Sequence, residues 1–452
     1  MPARPAMPAL SAIAAQGLQP RRAAYEVLRD VRGGRPFDAA LDRAVKQLGD
    51  ADRRLAHELA AGVLRGQTAL DARLAPLVSR GWESVAPALK EVLRLGAFQL
   101  TALDRVPAHA AVDTSVALAR ETAGARAGGF VNAVLRRLGG ETEQAERTEP
   151  AGRTGRATPS ERLAAEFSHP HWLVERWLER FGAEETTALL RWNNTRPRLV
   201  LQPARETLDD LERRWREAGI EVTPAPFGAG LVTDRTRPQE LPGYDAGAFL
   251  VQDPAQALLA WYADLPPDAA VYDACAAPGG KAISLGRTTA RVVAADLSRV
   301  RVRRLAGNLR RAGSGREHPV VADARHAPVR PSAAVLLDAP CLGTGSFARN
   351  PDARWRVSPE ALTTLEAGQA ELLDRVADAV APGGLLIYAT CSLEPEENRL
   401  QVERFLARRP EFRREPSDTF PAALTSPEGD LMILPQRHHM DGAFAARLRR
   451  FA

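Results

Sequence analysis

From residue 20 to residue 140 the apolar positions recur at helical spacing. "RRAAYEVLRDV", "DRRLAHELAAGVLRGQTALDARLAPLV", "PALKEVLRLGAFQLTAL", "HAAVDTSVALARE" and "GGFVNAVLRRL" each place apolar residues at i, i+3, i+4 and i+7. That period puts one face of a helix against a core. No strand-like run interrupts these stretches, so the region reads as a domain of five or more helices. Residues 141–160, "ETEQAERTEPAGRTGRATPS", lack large apolar side chains and carry Pro and Gly. They read as a linker. Ser160 and Glu161 open the next expected helix, "ERLAAEFSHPHWLVERWLERFG". Between 196 and 250, short strands such as "RLVLQP" and "GLVTD" alternate with one charged helix, "TLDDLERRWREAG". That is a small α+β module.

From about residue 250 the pattern changes to strand, glycine turn, helix, repeated. "AVYDACAAPGGK", "ARVVAADLS", "HPVVADAR", "AAVLLDAP" and "GGLLIYATCS" each meet Asp, Cys or Thr at the end of an apolar run. Buried parallel strands have this appearance, and the polar residues then fall at their carboxyl ends, where open α/β sheets bind ligands.

At 452 residues the chain is long enough for two or three domains, each with its own core. No apolar run approaches the ~18–20 residues of a membrane span. The first residues, "MPARPAMPALSAIAAQGLQPRR", faintly resemble a signal peptide, but Pro8 and Gly17 break the apolar stretch. A disordered extension is the expectation. Cysteines stand at 275, 341 and 391 only, which is no disulfide framework and fits a reducing cytoplasm.

The formal charge is +5, unevenly spread. Residues 1–140 hold 20 lysines and arginines against 13 acids, and seven arginines with no acid lie between Ser298 and Arg316. Such regions suit a polyanion, although a solvated arginine-coated helix accounts for the second as well. Lysine occurs only at 46, 90 and 281. Lys281 sits in a glycine motif, where a compact ammonium fits a pocket that a planar guanidinium does not.

"DACAAPGGKA" (Asp273–Ala282) follows the first strand of the last domain and opens a helix. Gly279 and Gly280 allow close backbone approach, and the helix start offers free N–H groups. The GxGxxG dinucleotide fingerprint is absent, as is a P-loop, which disfavours a Rossmann dehydrogenase and ATP or GTP. Asp296 ends the second strand, where an acid can accept hydrogen bonds from ribose hydroxyls. Asp323 ends the third and could face an adenine. S-adenosylmethionine, NAD or a nucleotide would each fit such a turn and acid.

All three cysteines lie in this domain at strand ends. One free cysteine is usually a small buried hydrophobe; three at one sheet edge beside a cofactor turn suggest covalent catalysis. Carbon 5 of cytosine is too electron-poor to take a methyl group directly. Thiolate addition at carbon 6 makes it nucleophilic, after which a base removes the carbon 5 proton and the thiolate leaves.

"DACAAPGGK", "DAPCLGTG" and "ATCSLEPEEN", with "RNPDARW" and "QRHHMDGAFAARL" further along, resemble the Nol1/Nop2/Sun RNA cytosine-5 methyltransferases from about residue 160 onward. Upstream, "DRRLAHELAAGVLRG", "VPAHAAVDTSVALAR" and "GGFVNAVLRRL" look like a NusB-type helical domain. That fusion is similar to the bacterial Sun/RsmB branch, which acts on 16S ribosomal RNA. The resemblance implies a Rossmann-like class I S-adenosylmethionine-dependent methyltransferase domain at 249–452. Before it would stand an all-α NusB-like RNA-binding domain at 18–142, a linker at 143–159 and an α+β module at 160–248.

The resemblance also implies roles. In DNA cytosine-5 methyltransferases the cysteine after proline is the nucleophile, which would be Cys341; the family resembled here uses that of Thr-Cys-Ser, Cys391. Cys341 would then assist proton removal or release of the methylated RNA. Asp338 would hydrogen-bond the cytosine edge and Lys281 would contact the target base. Cys275, Ala276, Ala277, Pro278, Gly279, Gly280 and Lys281 would wrap S-adenosylmethionine, with Asp296 on its ribose, Asp323 on its adenine side and Asp338 beside it. The expectation is a cytoplasmic monomer acting on 16S ribosomal RNA without a metal. Two positions depart from the family pattern: Leu201-Gln202-Pro203 replaces Arg-Val-Asn, and Ala443 replaces Phe. Rival readings are a NusB-type RNA-binding assembly factor with an inactive methyltransferase domain, a cytosine-5 methyltransferase of another RNA, and a DNA cytosine methyltransferase.

Overall fold

The computed structural model describes residues 9–145, 157–235 and 237–451. Most of the expected linker and the first residues of the expected extension lie outside them. The chain divides into two compact units, one of residues 1–194 with 350–356, the other of residues 195–349 with 357–452.

The first unit is helical. Its helices are α1 (Ala9–Arg32), α2 (Phe37–Ala44), α3 (Asp50–Leu74), α4 (Pro87–Ala102), α5 (Ala108–Ala123), α6 (Ala125–Ala145), α7 (Pro159–Phe167) and α8 (His171–Asn193). The i, i+3, i+4 stripes converge on one core that includes Leu28, Leu59, Leu93, Val131 and Leu135. The expectation of disorder through residue 22 fails: α1 already runs from Ala9 and passes through Pro20. The run Ala9–Ala15 is rich in strong helix formers, whose propensity the sequence reading underweighted. Thr158 starts α7 through a capping box, its side chain accepting from the Glu161 N–H while Glu161 accepts from the Thr158 N–H.

Residues 350–356 pack in this helical unit. Asp352 Oδ2 accepts from the Phe37 N–H at 3.2 Å and pairs with Arg356 at 3.0 Å. Arg354 is fully buried and donates to Asn194 Oδ1 at 2.6 Å and to the Asn193 carbonyl at 2.7 Å. Trp355 Nε1 donates to the Leu64 carbonyl at 2.8 Å.

The second unit starts with β1 (Leu199–Pro203), α9 (Leu208–Glu217), β2 (Thr223–Pro224), β3 (Leu231–Thr233) and β4 (Phe249–Val251). These strands form an antiparallel sheet of order β2-β3-β1-β4. Trp215 of α9 is buried on it, edge-on to Phe249.

Next come α10 (Pro254–Ala263), β5 (Ala270–Asp273), α11 (Gly280–Gly286), β6 (Arg291–Asp296), α12 (Arg299–Ala312), β7 (Glu317–Val321), β8 (Ser332–Asp338), α13 (Pro359–Ala377) and β9 (Val380–Thr390). The chain ends with α14 (Arg399–Arg408), β10 (Phe412–Arg414), β11 (Leu431–Ile433), α15 (Pro435–His438) and β12 (Ala443–Arg450). The large sheet has the order β10-β12-β9-β8-β5-β6-β7, with β11 pairing β12. Strands β9, β8, β5, β6 and β7 are parallel neighbours; β12 joins β9 antiparallel. The chain moves outward from β5 to β6 and β7, then returns to place β8 on the other side of β5. The crevice at the carboxyl ends of β5 and β8 is therefore the topological switch point, where such sheets open toward a ligand.

Candidate active site

Five parallel strands deliver the predicted residues to one sheet edge. Asp273 ends β5 and Cys275 follows it; Asp296 ends β6; Asp323 follows β7; Asp338 ends β8 and Cys341 follows; Cys391 comes directly after β9. Parallel register explains the gathering, since Asp273 pairs with Leu336 and Asp338 with Ala389.

The turn after β5 needs glycine. Gly279 sits at φ +110°, and a Cβ there would come within 2.7 Å of Leu305 Cδ1. The backbone thus enters α11 close against α12, and Lys281 emerges in the first turn. Its Nζ lies 2.7 Å from Asp338 Oδ2. Burial opposes the Lys281 charge, yet Asp338, followed by Asp273 and Cys391, raises its pKa above the ordinary value. Lys281 is a fixed ammonium.

Asp273 is buried, and its carboxyl is pushed up to about 7 by burial and by Asp338, with Lys281 pulling the other way. Both oxygens are buried without a hydrogen bond of ordinary geometry. Burial, with Asp273 beside it, pushes the Cys275 thiol up to about 12, so Cys275 is an inert thiol. Asp273, Cys275, Lys281 and Asp338 line a cavity of about 440 Å³.

Cys341 and Cys391 face each other with sulfurs 3.4 Å apart. The Gly-Thr-Gly turn holds this approach. The Gly345 N–H donates to the Cys391 carbonyl at 3.0 Å, and a Cβ on Gly345 would meet that oxygen at 2.8 Å. The hydrogen bond with Cys391, then burial, raise the Cys341 thiol well above its ordinary value. Both causes favour the thiol over the thiolate at Cys341.

Asp296 and Asp323 stand on the adjacent strands and do not contribute to that cavity's lining. Asp296 is buried and pairs with Arg301 at 3.0 Å. Asp323 is held down to about 2 by Arg325, 2.6 Å away.

Sequence reasoning missed several residues here. Arg349 pairs with Asp253 at 2.5 Å and with Asp441 at 3.0 Å, and all three line the cavity. Burial and Asp253 push the Asp441 carboxyl up to about 7 despite Arg349. Arg349 and Asp441 lay inside quoted motifs, but nothing local indicated that they meet. Asp253 carried a signal of another kind: it precedes Pro254 and caps α10, accepting from the Ala255 N–H at 3.0 Å.

Comparison with known proteins sets this geometry in a family. Residues 261–449 match the model described as 16S rRNA methyltransferase RsmB/F, residues 18–139 the NusB family, and residues 169–238 the RsmF/B-like ferredoxin-like domain. A probable ribosomal RNA small subunit methyltransferase B of Synechocystis sp. is 34% identical, covering 95% of this chain and 99% of its own. The ribosomal RNA small subunit methyltransferase B of Thermus thermophilus is 35% identical, covering 95% and 98%. Among solved structures, PH0851 superposes with a TM-score of 0.81 at 26% identity, over 96% of this chain and 98% of that one. NSun6 from Pyrococcus horikoshii, solved with SFG, has a TM-score of 0.56 at 18% identity, over 63% and 98%, and shares the fold. With relatives of this identity and coverage along a NusB domain, a ferredoxin-like module and a Rossmann-like sheet, the chain belongs to the 16S rRNA methyltransferase RsmB/F family.

Proposed function

We propose that the protein transfers a methyl group from S-adenosylmethionine to carbon 5 of a cytosine in 16S ribosomal RNA, through a covalent bond between Cys391 and the base. The observation that carries this reading is the pair of facing thiols, Cys341 and Cys391, 3.4 Å apart at the strand ends that also carry the Lys281–Asp338 pair. A methyltransferase acting on an already nucleophilic nitrogen has no use for two thiols at that place.

S-adenosylmethionine fits the residues present. Ala276–Pro278, Gly280 and Lys281 of the glycine turn line the cavity, and the Asp273 oxygens in its wall call for a partner. Cys275–Lys281 would wrap it, with Asp296 taking the ribose hydroxyls, Asp323 the adenine side and Asp338 the end nearest the chemistry. When bound, it supplies the electrophilic methyl group that carbon 5 takes up.

The chain's own groups do the rest. The target cytosine must leave any stack to reach the strand ends. Asp338 accepts from its exocyclic amine, and the Lys281 ammonium donates to the base edge. Cys391, as thiolate, adds to carbon 6, and carbon 5 becomes nucleophilic. After methylation a water takes the carbon 5 proton, the freed electron pair restores the ring double bond and the carbon–sulfur bond breaks to regenerate the Cys391 thiolate; Cys341, as a thiol, assists this release by hydrogen-bonding the departing sulfur. The rise in the Cys341 pKa suits a thiol that is a poor first nucleophile and a later hydrogen-bond donor to the departing Cys391 sulfur. Residues 18–142 are read as the RNA-binding part, given their surplus of cations.

Bisulfite sequencing of 16S ribosomal RNA incubated with the protein and S-adenosylmethionine tests this. One newly protected cytosine is expected, absent with Cys391→Ala. Methyl incorporation with no protected cytosine would overturn carbon 5 as the acceptor.

A further inference from the structure

The peptide groups on both sides of Cys341 are held by one buried polar cluster. The N–H of Leu342 donates to Glu397 Oε1 at 3.0 Å and to Oε2 at 3.3 Å. The carbonyl of Pro340 accepts from Gln369 Nε2 at 2.8 Å, and the same nitrogen donates to Glu397 Oε1 at 2.8 Å. Tyr388 closes the cluster: its hydroxyl donates to the Glu397 carbonyl at 2.7 Å and lies 3.3 Å from Gln369 Oε1. Glu397 and Tyr388 are fully buried, and Gln369 is 1% exposed.

A buried carboxylate is costly unless its lone pairs are used. Burial pushes the Glu397 carboxyl up, and hydrogen bonds from Ser392, Leu342 and Gln369 oppose this. A core leucine would fill such a space at less cost. What the carboxylate adds is an oxygen that takes two donors at once, one on the backbone after Cys341 and one tied to the backbone before it. The turn after β8 is tied to the end of β9 at Ala339 and again at Gly345, whose N–H groups donate to the Ala389 and Cys391 carbonyls; between those points the Pro340–Leu342 stretch is held by these bonds.

We propose that Glu397, with Gln369, is a positioning residue: it clamps the Pro340–Leu342 backbone so that the Cys341 thiol faces Cys391 and the bound base. This rests on the reading in which Cys341 acts after methyl transfer. Oε1 alone receives both donors, so the clamp needs an oxygen at that place rather than a negative charge. Glu397→Gln keeps the oxygen; Glu397→Ala leaves the Leu342 N–H without its acceptor and removes one of the two acceptors of the Gln369 amide.

The test follows RNA–protein adducts on denaturing gels, with the methyl content of the RNA measured in a single turnover. Glu397→Ala is expected to methylate its RNA but release it about tenfold more slowly, so that the adduct accumulates as in Cys341→Ala. Glu397→Gln is expected to release it as the unaltered protein does. A protein merely weakened in its fold loses methylation and adduct together. Wild-type release by Glu397→Ala, or an adduct in Glu397→Gln equal to that in Glu397→Ala, would overturn the proposal. Should Glu397→Ala not fold, Gln369→Leu removes the other arm and is expected to accumulate adduct in the same way.

A second readout separates this proposal from the reading beneath it. The rate at which iodoacetamide modifies Cys341, followed by mass spectrometry of its peptide, is expected to change by about tenfold in Glu397→Ala and to stay unchanged in Glu397→Gln. If Cys341→Ala gives no adduct, the release role falls, and the modification rate alone decides the clamp. An unchanged rate in Glu397→Ala sinks it.

Discussion

Cys341 Sγ and Cys391 Sγ lie 3.4 Å apart, across the ends of two neighbouring strands. The pairing follows from topology. β8 and β9 are parallel with Asp338 opposite Ala389, and each chain passes its cysteine just beyond that register point. Cys391 leaves its strand directly, whereas Cys341 sits on a turn braced from below. Replacing each thiol should therefore have a different consequence. Cys391→Ala should abolish methylation and form no covalent RNA complex. Cys341→Ala should still attack and methylate, then accumulate a complex that survives denaturing gels. Exchange of these two outcomes would make Cys341 the nucleophile.

Asp296 should govern cofactor affinity and little else. Its carboxylate is buried at the end of β6, paired with Arg301 and accepting from the Ser298 N–H at 3.0 Å. A charge-assisted bond to a ribose hydroxyl contributes about 1.5–3 kcal/mol, so Asp296→Ala should weaken S-adenosylmethionine binding by roughly ten- to a hundredfold. Isothermal calorimetry reads this directly. Unchanged affinity would remove Asp296 from the cofactor site.

Trp355 should matter for stability of the helical unit. It packs against the core of α1–α6 and gives its Nε1–H to the Leu64 carbonyl. The ring is only half-buried, so truncation to alanine should cost less than a fully buried tryptophan, about 2–3 kcal/mol. Chemical denaturation followed by far-ultraviolet circular dichroism would show it as a lower midpoint. A shift below about 0.5 kcal/mol, the range of ordinary surface changes, would mean that residues 350–356 do not brace the unit.

This segment also shows where reading the sequence stops. The helices of residues 20–140 and the five parallel strands were legible because their periodicity is local and a chemically distinctive residue stands at or just past the end of each strand. Lys281 and Asp338 were each legible as contacts to the target base, one in the glycine turn that opens α11 and one at the end of β8, but not as a pair. Nothing local indicated that Asp352, Arg354 and Trp355, in the midst of the methyltransferase sequence, would seat among the helices. Arg349, Asp253 and Asp441 come together from positions 96 and 92 residues apart, and such an ion set has no sequence period. Glu397 looked like one acid in a charged run, "EPEEN", yet it is fully buried while Glu396 beside it is not. The start of α1 was misread because Pro8 and Gly17 were given more weight than the alanines between them.

The pH dependence of stability should carry the mark of Asp273. Its folded carboxyl titrates at about 7, against roughly 3.9 for an unfolded aspartate. Below the unfolded value both states are protonated and the group contributes nothing to the difference. Above it the unfolded chain ionises while the folded one holds its proton, so the folded state loses ground until the pH passes about 7. The loss then levels off at up to roughly 4 kcal/mol. Asp273→Asn has the same shape and no titration. Asp441, also at about 7, and Asp430, at about 6, titrate in both proteins and cancel in the difference. Urea unfolding of the two at intervals from pH 4 to pH 8 should show the variant gaining steadily on the unaltered protein across that window, then running parallel to it. A difference independent of pH would mean that Asp273 is ionised in the folded protein, paired by a donor such as Lys281, and that the cavity wall already carries its negative charge before any ligand arrives.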